Sequence, residues 1–330
     1  MLMIITFHLS YKAGFDFYGE VLIINKLWMQ FTGLGESLGY VSNDIFVIIS
    51  GYFLIKSSRV KFIHLFRLWS HAAFYVIMFL LVGLYFGADK ADFSTLLKTL
   101  QRLITMHWWF ITCYAALYLV HPFLNSILHN LTQANYKRLI LLMLGTWSIV
   151  LLFTADIKLL PHKIVDFFIM YAAGGYIRLW ADGKGNRKYI LWSIMFMLIN
   201  FACLSVFRYK FNMTRLAGIG IYPVKYMCAM SGIFNFASAM CMFIGFKKLV
   251  IPSSKIINTL AAAVTGVYML HDHVHAIKFM RYVFRLSSFQ NSPYLIPRMI
   301  SDVLIVYISC TVLELIRSRI FKMLSRGRLS

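Results

Sequence analysis

The repetition of apolar segments about as long as a bilayer is thick most constrains what this chain can fold into. A helix needs about 20 mostly apolar residues to cross the hydrocarbon core. The pattern predicts an all-α, polytopic transmembrane bundle of about ten spans with a truncated first span, forming a single domain over residues 1–330. The expected full spans are residues 39–56, 69–87, 108–128, 138–155, 163–181, 188–207, 223–246, 259–278 and 300–321, and the fragment runs from Met1 to about Tyr11.

Composition and charge support a membrane protein and argue against nucleic-acid binding. The chain is 60% hydrophobic and only 14% charged, whereas a soluble domain is about half apolar and a quarter charged. Its net charge of +21 comes from short Lys and Arg clusters between apolar segments, a pattern typical of cytoplasmic loops in contact with anionic lipid. We therefore expect a multi-pass protein of the bacterial cytoplasmic membrane, with membrane lipid as a partner and no nucleic acid.

Polar residues inside apolar segments are costly in a bilayer, so each is a candidate for function. His8 follows a mostly apolar run and has no adjacent charge. A histidine there can act as a general base near neutral pH, or it can be structural and donate to a backbone carbonyl. The residues alone do not decide between these two roles.

The next apolar segment contains two further candidates, Asp44 and Ser50. A carboxylate can hold a histidine in its useful tautomer, but Asp44 can equally cap the start of its helix, where anions are favoured. Ser50 is a candidate substrate contact, or a packing contact together with Gly51. Both alternatives stay open at this point.

Two aromatic and histidine clusters complete the candidate pocket. Trp109 and Tyr114 lie in one segment, and Tyr268 and His271 in another. A tryptophan of this kind is also typical of an interfacial aromatic belt. Of three closely spaced histidines, His271 and His275 face one way while His273 points elsewhere, and no further ligand is evident, so we predict no metal site. At 1.5 Å rise per residue, His8 and His271 are expected at a similar depth in the membrane.

Basic residues suggest where anionic groups bind. Lys61 and Arg67 lie in a segment that alternates basic and apolar residues, which is either an interfacial helix or a binding site for the phosphates of coenzyme A. Arg208 and Arg281 fall in predicted outer loops. They indicate either an anionic substrate, such as a lipid pyrophosphate, or ordinary phospholipid contact.

These motifs, in this order, resemble the membrane acyltransferase-3 family of surface-polysaccharide O-acyltransferases. The resemblance covers essentially the whole chain, although the Arg that the family carries upstream of its histidine would fall before Met1. It implies catalysis by His8 and Asp44, substrate binding by Ser50, Trp109, Tyr114, Tyr268 and His271, and acyl-CoA binding by Lys61 and Arg67.

The activity implied by this resemblance is transfer of an acyl group, expected to be acetyl, to a sugar hydroxyl of a cell-surface or exopolysaccharide. Acetyl-CoA or another acyl-CoA would be the co-substrate, with no bound cofactor, and the acceptor would be a surface glycan or a lipid-linked saccharide. The main alternative is an exporter, flippase or assembly protein for a lipid-linked polysaccharide, which basic outer loops would also suit. A polymerase of the same glycan is a second alternative.

Overall fold

The computed structural model describes residues 1–17, 21–34, 37–153, 162–210, 213–249 and 252–326. It is 81% helix, and the described residues contain no strand. A π-helical turn, Gln30–Leu34, and a 3-10 turn, Leu286–Phe289, accompany the α-helices. The α-helices are α1 (Leu2–Lys12), α2 (Ile23–Met29), α3 (Ser37–Leu54), α4 (Phe62–Tyr85), α5 (Phe93–Thr105), α6 (Trp109–His129), α7 (Gln133–Phe153), α8 (His162–Trp180), α9 (Tyr189–Lys210), α10 (Met213–Gly218), α11 (Pro223–Met227), α12 (Ile233–Lys247), α13 (Lys255–His271), α14 (Val274–Phe284) and α15 (Leu295–Arg326).

Within the described residues, six helical stretches are long and apolar enough to cross a membrane. Their apolar side chains are largely exposed on the protein surface, as expected when lipid is the solvent. The all-helical class is thus confirmed, while the count of about ten spans stays a prediction. The six stretches are Ile23–Leu54, Phe62–Tyr85, Trp109–His129, Gln133–Phe153, Tyr189–Arg208 and Leu295–Met323.

The chain divides into two compact units that alternate along the sequence. The first unit comprises Met1–Leu34, Phe66–Trp108 and Ile251–Ser330, and the second comprises Gly35–Leu65 and Trp109–Val250. The expectation of a single domain over residues 1–330 stays a prediction.

In the first unit, the short helix α1 is held by apolar packing. Ile5 and Leu9 are one helical turn apart and are buried in a cluster that includes Met299 and Val303 of α15. Burying such a side chain contributes about 1.5–3 kcal/mol, which stabilises a helix too short to be stable alone.

A buried carboxylate ties α4, α13 and α15 together in the same unit. Glu314 accepts hydrogen bonds from Tyr75 Oη at 2.5 Å and His71 Nε2 at 3.0 Å. It also pairs with Arg317, whose Nη2 lies 2.6 Å from Oε1. A Cβ atom at Gly266 would lie 2.1 Å from Glu314 Oε2, so α13 passes directly over this carboxylate. The network therefore helps fix the helix that ends at His271.

Candidate active site around His8 and His271

The first unit brings together two of the predicted site residues, His8 and His271. His8 lies in α1 beside the buried Leu9, and His271 is the last residue of α13 and is only 1% exposed. The Nδ1 atom of His8 lies 3.0 Å from Nε2 of His271. The predicted common depth of these two residues is consistent with this contact.

The hydrogen bonds assign the tautomers of the two imidazoles. Nδ1 of His271 lies 2.6 Å from the carbonyl oxygen of Val267, which can only accept, so this nitrogen carries the proton. In a neutral imidazole the other nitrogen is then an acceptor, and His271 Nε2 receives the Nδ1–H of His8. This leaves Nε2 of His8 with a lone pair, as a general base requires.

A carboxylate and an ammonium group lie beside this pair. Oδ1 of Asp272 is 3.4 Å from His8 Nδ1 and 2.5 Å from Nζ of Lys12. Lys12 follows His8 by one helical turn, so both side chains reach the same carboxylate from one face of α1. A negative charge at this distance stabilises the imidazolium that forms when His8 takes up a proton.

Tyr268 lies on the same turn of α13 as His271. Its ring centroid is 6.1 Å from that of His271, and the residue is buried. The structure therefore groups Tyr268 with His8 and His271, three of the residues that the sequence nominates for the site.

A narrow cleft opens beside His8 in the first unit. Its polar lining consists of His8, Lys12 and Arg281, with apolar residues that include Leu9 and Phe284. Its volume of about 20 Å³ is enough for one water-sized group. A single hydroxyl can therefore lie next to the His8 imidazole, flanked by two cationic side chains.

The neighbouring histidines have separate partners. The ring of His273 stacks on Phe79 with centroids 3.8 Å apart, and Nε2 of His275 lies 2.8 Å from Oδ2 of Asp89. Among the described residues, no group of three or more His, Cys, Asp or Glu side chains is arranged to hold a metal ion.

The other predicted pocket residues belong to the second unit. Ser50 donates to the Phe46 carbonyl at 2.8 Å and interacts with the phenol of Tyr114. Trp109 lies under the ammonium of Lys163, which is 4.6 Å from the centroid of the indole ring. The structure thus joins Ser50 to Tyr114 and places Trp109 beside a half-buried cation.

Asp44 is fully buried in the second unit and interacts electrostatically with Asp166 and Lys163. Neither of its carboxylate oxygens has a hydrogen-bond partner among the described residues. Its assignment as the group that orients His8 stays a prediction.

The predicted acyl-CoA residues lie around the start of α4. Lys61 directly precedes the helix, and its backbone N–H donates to Tyr118 Oη at 3.3 Å. Arg67 lies in the second turn, and both basic side chains are exposed. The segment predicted to lie on the membrane surface is in part the first turns of a longer helix, Phe62–Tyr85.

Comparison with known families decides the class of the protein. A family model described as an acyltransferase domain (Acyl_transf_3) matches residues 1–315. The chain belongs to the acyltransferase-3 family. No curated protein and no solved structure matches it. Membership in the acyltransferase-3 family, together with the apolar helices, supports a multi-pass membrane acyltransferase and confirms the resemblance seen in the motifs.

Sequence reasoning missed two residues that lie beside His8, Lys12 and Asp272. A signal for each was present, because Lys12 is four residues after His8 and Asp272 directly follows His271. Residues four apart share a helix face, so the His8–Lys12 spacing already indicated a neighbouring positive charge.

Proposed function

We propose that this protein transfers an acyl group, expected to be acetyl, from acyl-CoA to a sugar hydroxyl of a cell-surface or exopolysaccharide at the bacterial cytoplasmic membrane. The observation that carries the proposal is the hydrogen bond between His8 Nδ1 and His271 Nε2. With its proton on Nδ1, the His8 imidazole keeps the lone pair of Nε2 for accepting a proton. The imidazole lies beside a cleft that accommodates one hydroxyl group.

The proposed reaction is direct transfer with His8 as general base. Nε2 of His8 takes the proton of the sugar hydroxyl while the sugar oxygen attacks the thioester carbonyl. The carbon–sulfur bond then breaks, and the imidazolium returns the proton to the departing sulfur, so that free CoA and an acylated sugar result. Asp272 stabilises the intermediate imidazolium electrostatically.

The remaining residues are proposed to bind the two substrates. Lys61 and Arg67 are exposed cations at the start of α4 and suit the phosphates of CoA. Tyr268 would line the pocket for the acceptor sugar, next to His271.

The test is an acyl-transfer assay on the purified protein in detergent. Labelled acetyl-CoA and the surface glycan of the producing strain are supplied, and both CoA release and acetyl incorporation are measured. We expect His8→Gln to lower the rate by about 10²–10⁴-fold, the usual contribution of a general base.

The matched control is His129→Gln. His129 Nε2 donates to the Ile55 carbonyl at 2.8 Å in the second unit, and a glutamine amide can make the same bond. Full transfer by His8→Gln would refute the proposal. A deletion strain that loses surface glycan but keeps the normal acetylation of what remains would establish the exporter instead.

A further inference from the structure

The second unit contains a cavity of about 380 Å³ between the ends of four helices. Tyr40 near the start of α3, Lys163 and Asp166 near the start of α8, Arg208 at the end of α9 and Lys225 in α11 line it. This volume lies in the range of small-molecule sites, about 300–1,000 Å³. None of its described lining residues belongs to the cleft beside His8.

Positive charge dominates the lining of this cavity. Among the described residues that line the cavity, three are cations, Lys163, Arg208 and Lys225, and one is a carboxylate, Asp166. A cluster in which cations outnumber carboxylates attracts anions. The cavity therefore favours a ligand that carries negative charge.

Aromatic residues hold one of these cations in place. The ammonium of Lys163 is 4.5 Å from the centroid of the Tyr40 ring and 3.1 Å from its hydroxyl oxygen. The same ammonium lies 4.6 Å from the centroid of the Trp109 ring. Cation–π contacts of this kind fix the direction of the amine without neutralising its charge.

The carboxylate indicates a second property of the ligand. Asp166 is only 2% exposed, and its Oδ1 atom has no hydrogen-bond partner among the described residues. A carboxylate oxygen accepts hydrogen bonds but cannot donate them. A bare anion would be repelled by it, whereas a ligand with hydroxyl groups could donate to it.

We propose that this cavity binds a phosphorylated sugar, with the phosphate oxygens on Lys163, Arg208 and Lys225 and a sugar hydroxyl donating to Asp166. The same chemistry is presented by a free sugar phosphate and by a saccharide on a lipid pyrophosphate. The site is a binding site in its own right, and only its use for the acyl acceptor rests on the proposed function.

Direct binding to the purified protein in detergent tests the proposal. Four probes are titrated calorimetrically: a hexose 1-phosphate, a short-chain polyprenyl pyrophosphoryl hexose, the unphosphorylated hexose and inorganic pyrophosphate. We expect a phosphorylated sugar to bind at least about tenfold more tightly than the neutral hexose, because a charge-assisted hydrogen bond contributes about 1.5–3 kcal/mol. The phosphorylated probe that binds more tightly shows whether the ligand is a free sugar phosphate or a saccharide on a lipid pyrophosphate.

Substitutions in the cavity sharpen the test. Arg208→Gln and Lys225→Gln should each weaken binding of the tighter phosphorylated sugar by about tenfold. Arg187→Gln removes the same charge from an exposed position of the same unit and should leave binding unchanged. Two cavity variants are used so that the result does not depend on the folding of either one.

Asp166→Ala should change the affinities in opposite directions. It should weaken binding of the phosphorylated sugar, which loses its hydroxyl acceptor, and strengthen binding of inorganic pyrophosphate, which no longer meets a carboxylate. If the cavity were only a basic patch, Asp166→Ala would bind both the phosphorylated sugar and inorganic pyrophosphate more tightly. That result would overturn the proposal.

Two further results would also overturn it: equal affinity for the neutral and phosphorylated hexose, or equal effects of Arg208→Gln, Lys225→Gln and Arg187→Gln. The acyl-transfer assay separates the two proposals. Absent binding with His8-dependent transfer intact overturns this inference alone, whereas intact binding without transfer overturns the proposed function alone.

Discussion

The ammonium of Lys12 lies 2.5 Å from Oδ1 of Asp272, and the same oxygen is 3.4 Å from Nδ1 of His8. One carboxylate therefore lies beside both an ammonium group and the imidazole that would become cationic in the proposed proton transfer. Lys12 balances the charge of Asp272 in the resting site, while Asp272 remains close enough to favour the imidazolium of His8.

We expect Asp272→Asn to lower kcat for acyl transfer by roughly tenfold to a hundredfold, the kinetic equivalent of one charge-assisted interaction. The KM for acetyl-CoA should change little, because Asp272 acts on the charge that develops at His8. Steady-state kinetics on the purified variant provide the measurement. Asp89→Asn breaks a comparable pair with His275, 2.8 Å long and outside the cleft, and should leave kcat unchanged. Equal losses in the two variants would contradict the assignment.

The second prediction concerns the coupling of His8 and His271. His271→Leu should lower kcat because the Nδ1–H of His8 loses its acceptor and His8 Nε2 loses its defined lone pair. In a variant that already lacks the His8 imidazole, the loss of His271 should have no further effect on the rate. The double variant should thus be no slower than His8→Gln alone, as is typical of residues that act as a unit. Losses that multiply across the two positions would show that they act independently.

The sequence allows the His8–His271 pairing to be anticipated, because residue counts along two helices give similar depths. It also nominates Tyr268, which lies on the same helical turn as His271. The carboxylate partner is harder to predict, since Asp44 and Asp272 are both polar residues in apolar segments. The packing of α1 and α13 against α15 brings Asp272 within 3.4 Å of His8, and no local pattern encodes that packing.

The cavity of the second unit could not be predicted from the sequence, for a different reason. Lys163, Arg208 and Lys225 lie in three different helices, α8, α9 and α11. Each taken alone is typical of a cation at a membrane surface. Their convergence on Asp166 depends on how the helices of the second unit pack, which no local pattern encodes.

The third prediction tests the close contact of α3 and α8. A Cβ atom at Gly174 would lie 2.1 Å from the carbonyl oxygen of Ile48, and one at Gly51 would lie 2.1 Å from that of Tyr171. The two helices thus approach each other backbone to backbone, as small residues permit in membrane bundles. Gly174→Ala must push the helices apart, and we expect a loss of about 1–3 kcal/mol of stability, as for overpacked cores.

Gly145→Ala is the matched control for this contact. Gly145 lies within α7, and an added Cβ would meet no atom within 4 Å. Alanine favours a helix over glycine by about 1 kcal/mol, so this variant should be as stable as the parent or slightly more stable. Thermal unfolding in detergent measures both variants. A Gly174→Ala protein as stable as Gly145→Ala would show that the contact between α3 and α8 is looser than described.

The fourth prediction concerns Asp182, in the loop that follows α8. Lys247 Nζ donates to its Oδ1 at 2.6 Å, Arg178 Nη1 donates to its Oδ2 at 3.0 Å, and the hydroxyl of Tyr52 donates to it as well. The hydrogen bond from Lys247 is the largest cause that lowers the pKa of Asp182 from its ordinary value of 3.8 to about 2. The ion pairs therefore stabilise the folded state only while Asp182 is ionised.

A carboxyl whose pKa is lower in the folded state contributes its full stabilisation above the unfolded pKa and loses it as pH falls through the folded pKa. Asp182→Asn should consequently lower the unfolding midpoint at pH 7, and the difference from the parent should shrink between about pH 4 and pH 2. The side chain of Asp182 is 44% exposed, so solvent screening should keep the effect below about 1 kcal/mol. Added salt at pH 7 should narrow the same difference. A difference that stays constant from pH 7 to pH 2 would mean that the substitution acts through packing and not through the charge of Asp182.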